Sequence, residues 1–179
     1  MTEIPLIHRS PVPRRLCNLA KTFDLLGDRW TLLILRSALY GVRRFGDFEA
    51  ELEIPRSGLS KRLANLVASG IMERRAYREE GQRTRLEYPL TKMGRCLGLP
   101  FMAVTEWADR WIGNGYSPLT LRSTSTGQRL SVALVDETGK AVKGSDIVRR
   151  IRLRNPDPPA RRRAAKRSLR AGTPTQRRI

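Results

Sequence analysis

Five side chains close together in the chain, Arg56, Ser57, Ser60, Lys61 and Arg62, are of the kinds that hold nucleic acid. An arginine fork can bond two atoms of a guanine edge, while serine hydroxyls and lysine ammonium groups more often hold phosphates. At 100° per residue, Ser57, Lys61, Ala64 and Asn65 fall on one face of a helix. Arg56, Ser60 and Arg62 flank that face, and Leu59, Leu63, Leu66 and Val67 lie opposite. The small Ala64 and Ala68 leave room for a groove wall to come close. Arg78, Arg83 and Arg85 form a second cationic group around the turn residues Glu79-Glu80-Gly81-Gln82. A basic helix face alone is commonly just solvated. A basic hairpin beside it points to a recognition helix with a wing.

Other chemistry finds little support. The single histidine, His8, lies in a proline-rich stretch without helical or strand period, so it makes a poor general base. Phosphate-binding loops of the form GxxxxGK[ST] or GxGxxG are absent, as is a GxSxG elbow. Glu49, Glu51 and Glu53 follow one another without a catalytic partner set. The two cysteines, Cys17 and Cys96, have no metal-ligand spacing, so neither a zinc site nor a cofactor is expected. Cys96 reads as a core residue, because free cysteine is commonly buried. No run approaches the roughly 18–20 apolar residues of a membrane span, and Met1 to Pro13 has no apolar leader core. The expected location is cytoplasmic, associated with the nucleoid.

The elements that must position these residues can be read from periodicity. Leu16, Leu19, Ala20, Phe23 and Leu26 are spaced as one helix face. Asp28 suits the cap of a second helix, about Arg29 to Tyr40, ended by Gly41. Phe45 to Leu52 fits a short helix. Pro55 suits the first position of the next, which Gly70 ends. Ile71 to Tyr77 and Thr84 to Leu90 are strand candidates joined as a hairpin. Thr91 can cap a helix from Lys92, perturbed at Pro100 and carrying Phe101, Val104, Trp107, Ala108 and Trp111 on one side. Beyond a Gly113–Pro118 linker, weak alternation predicts a small β-rich appendage.

Four segments follow: a flexible arm (1–13), the helical and winged body (14–113), the appendage (114–151) and a basic tail (152–179). The tail has little apolar mass and is expected to be disordered. The fold class is therefore α+β, mainly α. The formal net charge of the 179-residue chain is +18. Half of that lies in the tail, where ten Lys or Arg stand against one Asp. The body is basic without it, which favours a polyanion partner through counterion release.

Several segments together resemble the HxlR family of bacterial regulators. They are Cys17-Asn18-Leu19, Gly27-Asp28-Arg29-Trp30 through Arg36, Gly41-Val42-Arg43-Arg44-Phe45-Gly46-Asp47-Phe48 and Leu59-Ser60-Lys61-Arg62-Leu63. Gly70-Ile71, Arg85-Leu86-Glu87-Tyr88-Pro89-Leu90-Thr91 and Gly94-Arg95 follow in the family's order. The resemblance spans roughly residues 14–113, with Pro89 an unusual filler. It implies a winged helix-turn-helix that binds double-stranded DNA as a homodimer, often as a repressor. Dimer contacts would come from helices near Leu16 to Leu26 and Phe101 to Ile112. The alternative for Trp107 and Trp111 is an ordinary intramolecular core.

Cys17 matches the family's N-terminal cysteine, a sensor of oxidants or electrophiles in some relatives. That makes it the candidate redox sensor, and a redox or small-molecule inducer the candidate signal. Arg14, Arg15 and Lys21 nearby would favour the thiolate. A packed, inert thiol is the plainer alternative. Two rival functions remain: a non-specific nucleoid or RNA binder dominated by the tail, and an enzyme. The expected DNA-binding set is Arg56, Ser57, Ser60, Lys61, Arg62, Arg83 and Arg85.

Overall fold

The computed structural model describes Ser10 and residues 12–150. The arm's other residues and the tail from 151 onward, with the expectations placed on them, lie outside the described residues. Residues 13–149 form one compact unit. After a 3-10 turn at Arg14–Leu16, helix α1 runs Asn18–Leu26 and helix α2 runs Arg29–Leu39. Asp28 caps α2, its carboxylate accepting from the Thr31 N–H at 2.9 Å. Helix α3 covers Phe45–Leu52, and helix α4 covers Arg56–Ala68. Pro55 sits at the N-cap of α4, one residue before the position expected for it.

The core forms where these helices meet. Ile34, Leu35 and Ala38 of α2 pack with Phe48 of α3 and with Leu59, Leu63 and Leu66 of α4. Ile54, Ile71, Met72 and Leu90 extend the cluster toward the hairpin. Burying each such side chain contributes about 1.5–3 kcal/mol before chain entropy is set against it. One polar link lies inside this packing. The buried Ser37 hydroxyl donates to Glu51 at 2.9 Å, and Arg36 reaches the same carboxylate at 3.2 Å. Two of the glutamates without a catalytic role thus tie helices together: Glu51 ties α3 to α2, and Glu49 pairs with Arg56 of α4 at 3.3 Å.

The chain leaves α4 through Gly70, whose φ of +74° suits a residue without Cβ. Strands β1, Arg75–Tyr77, and β2, Arg85–Glu87, then pair antiparallel with Ala76 opposite Leu86. Both are shorter than the sequence suggests. Toward the hairpin root the pairing is confined to an isolated bridge, Met72 with Leu90. Pro89, lacking an N–H, can only accept there, from Glu73 at 3.0 Å. A further bridge, Arg44 with Glu87, lays the segment after α2 beside β2.

Thr91 caps helix α5, Lys92–Arg95, by accepting from the Gly94 N–H at 3.2 Å. Helix α6 follows as Gly98–Trp111, with Pro100 accommodated in its first turn. Cys96 corrects an expectation: it is exposed, not core. It sits at the C-cap of the one-turn α5, where Gly94 and Leu97 take the inward positions.

The appendage also differs from its expected form. Residues 114–149 hold no strand but two tight loops, each closed by one isolated bridge, Arg122 with Arg129 and Val135 with Ala141. Polar turn residues occupy most of each loop. Asp136 alone accepts from the Thr138 N–H, the Thr138 hydroxyl and the Lys140 N–H. Too few residues remain on either side to extend a ladder.

Candidate nucleic-acid interface

Helix α4 is held to the body by Leu59, Leu63 and Leu66, so its other side must face outward. Arg56, Ser57, Ser60, Lys61, Ala64, Asn65 and Ala68 are all exposed. The helical arithmetic thus places the small and polar side chains together on one open face. Neither Ser57 nor Ser60 spends its hydroxyl on a described residue, and Lys61 has no ion pair with one. Arg56, at the first turn, lies over the Phe45 ring at 5.4 Å and beside Glu49. Its side chain is 76% exposed, so the guanidinium is steered without being enclosed.

Arg62 behaves differently. Its Nε and Nη2 donate to the two carboxylate oxygens of Asp28 at 2.5 and 2.8 Å, and its Nη1 donates to the Gly58 carbonyl at 3.1 Å. All three groups of its fork are therefore engaged within the domain. The Arg62 fork, bonded to its side chain, holds the Asp28 carboxyl well below the usual carboxylate range. In turn, Asp28 raises the Arg62 pKa. One carboxylate thus starts α2 and fastens α4 to it, a double use that local sequence signals do not carry.

The hairpin brings the second cationic group to the same body. Arg83 and Arg85 are exposed and lie in no ion pair with a described residue. Arg78 instead donates to the Gln82 carbonyl at 3.0 Å and holds the turn closed. A contributor that sequence reasoning left without a role is Arg44. It lies 4.8 Å from the centre of the Tyr77 ring and pairs with Glu79 at 2.6 Å, so it clamps the hairpin from the side. The Glu79 charge raises the pKa of its guanidinium further. A cation three residues after the helix-ending Gly41, opposite an aromatic strand, is the signal that could have found it.

The remaining sequence candidates lie on other elements. Cys17, half-buried, is the N-cap of α1, far along the chain from α4. On α1, Leu19 and Phe23 are exposed, as are Val104, Trp107 and Trp111 on α6. Trp107 and Trp111 keep 57% and 69% of their surface open, so they are not intramolecular core. Among the described residues no group of histidine, cysteine and acidic side chains could hold a metal, and no helix is long and apolar enough to cross a membrane.

The profile of the HxlR-like helix-turn-helix family matches residues 25–116, from the end of α1 through α6. The HTH-type transcriptional regulator Rv3095 of Mycobacterium tuberculosis is 38% identical over 119 residues, 66% of this chain and 74% of that protein. Among solved structures, PA1607, designated a transcription factor, superposes with a TM-score of 0.61 at 29% identity. It covers 75% of this chain and 94% of its own. PA1374 of Pseudomonas aeruginosa, likewise designated, gives 0.53 at 26% identity over 80% of this chain and 96% of its own.

Proposed function

This chain belongs to the HxlR-like helix-turn-helix family, and from that premise we propose that it represses transcription by reading an inverted repeat in double-stranded DNA as a homodimer. That it is a DNA-binding regulator and not an enzyme is what the family and the relatives have in common. The observation that carries the finer reading is the open face of α4. Its N-terminal half presents Ser57, Ser60 and Lys61 without partners among the described residues, and Arg56 held only by an exposed pair with Glu49, on a helix that a major groove admits.

In this reading Arg56, Ser57, Ser60 and Lys61 enter the groove. Arg56 is the base reader, since leaving Glu49 frees its fork for a guanine edge. Ser60 and Lys61 hold the flanking phosphates. Arg62 stays on Asp28 and sets the angle of α4, acting on DNA through its neighbours. Arg83 and Arg85 bring the wing to the adjacent minor groove or its backbone. Two copies joined through α1 and α6 would present two recognition helices, hence an operator with two similar half-sites. Cys17 stays the candidate inducer-responsive thiol because it caps α1, so an adduct on it would disturb a dimer helix.

The test compares binding to a selected operator and to random DNA. Arg56→Ala should cut operator affinity by about 1–3 kcal/mol and relax preference at one base position per half-site. Lys61→Ala should weaken both DNAs alike and reduce the salt slope by about one. If Arg56→Ala also weakens both alike, α4 does not read bases.

A further inference from the structure

From Arg95 to Arg149 no residue is buried. The stretch nevertheless carries large apolar side chains throughout. On α6 these include Val104, Trp107, Trp111 and Ile112, and in the appendage Tyr116, Leu121, Leu130, Leu134, Val135 and Val148. Ordering a chain costs about 1–2 kcal/mol per residue in backbone entropy, which apolar burial normally offsets. Within one copy of this molecule the appendage has no such burial. Large apolar side chains left open in such number along one stretch of chain are what an interface would cover.

Three observations bear on what covers it. The appendage continues the α6 surface directly, because the Val132 N–H donates to Glu106 at 2.9 Å. Val132 also lines a cleft of about 310 Å³ with Ala103, Trp107 and Trp111. Second, a stable interface takes about 20–30 residues a side, more than the outward faces of α1 and α6 supply alone. Third, PA1607 and PA1374 superpose over 75% and 80% of this chain, beyond the share of the family's 25–116 span. In this chain the appendage lies in the same compact unit as the helices.

We propose that residues 114–149 form the outer part of the homodimer interface, covered by a second copy of this chain that also covers Trp107 and Trp111. The proposal rests on the homodimer reading above. A nucleic acid would find phosphate partners in the exposed Arg122, Arg129, Lys140 and Lys143, but it would leave Leu134, Val135 and Val148 uncovered. The second copy brings the same apolar surface, as a two-fold contact requires.

Sedimentation equilibrium of the full chain, without DNA and in high salt, tests this. Leu134→Glu combined with Val135→Glu should raise the dimer dissociation constant by at least about tenfold, because a charge buried there would be unpaired. Val148→Asp, beyond the Gly144–Asp146 turn, should act in the same direction. Both positions are exposed in the single copy, so circular dichroism and melting of the monomeric fraction should be unchanged. A dimer weakened by Trp107→Ala but untouched by both appendage variants would overturn the proposal and leave the homodimer reading standing. A wild-type chain that is monomeric at the highest concentration would overturn both.

Discussion

At the scale of single residues, Asp28 does the most. It accepts from Thr31 to start α2 and holds Arg62 of α4. Asp28→Ala should lower stability by about 1–2 kcal/mol. Asp28→Asn should cost less, since asparagine caps as well and the pair, with the Asp28 side chain 45% exposed, is screened by water. The carboxyl is held below its ordinary value, so its contribution is complete above an unfolded pKa of about 3.9. It is lost as pH falls through the lower folded value. Urea denaturation of wild type and Asp28→Ala should therefore differ at neutral pH and converge in strong acid. Gly94 gives a second check at this scale. A Cβ there would run into the Ile71 carbonyl and a Leu90 methyl. Gly94→Ala should cost about 1–3 kcal/mol in thermal melting, by forcing the hairpin root from α5.

At the scale of elements, what was legible followed from period and punctuation. The bounds of α3 are those read from the sequence, and α2 ends one residue before its expected limit. The open face of α4 follows from leucines at helical spacing. The strands were less legible, because strand length is set by a partner and not by the strand's own residues. Residues 71–74 fall inside the expected strand, but Pro89 opposite offers no donor. The appendage has alternation without a second layer to reward it, so loops formed where strands were expected. A tertiary pair such as Arg62 with Asp28 leaves no local trace at all. The wing carries its own prediction. Replacing Arg83 and Arg85 together by alanine should lower affinity for operator and random DNA equally and cut the salt slope by about two, read from binding isotherms at several salt concentrations. A loss confined to operator DNA would mean that the wing reads sequence.

At the scale of the whole molecule, charge and apolar surface divide the work. The cations of α4 and the wing point away from the packed core, while the large exposed side chains collect on α1, α6 and the appendage. One surface suits a polyanion and the other a second copy, and a regulator of paired half-sites needs both. The net charge of +18 alone would serve a non-specific binder equally well. What separates the two is whether the open face of α4 reads bases. The most direct measurement is selection of bound duplexes from a random pool by the full chain at near-physiological salt. The account predicts an enriched inverted repeat with half-sites about one helical turn apart, about 10 base pairs, or a multiple of that. A pool that binds but yields no enriched sequence would contradict it and leave an electrostatic binder of nucleic acid.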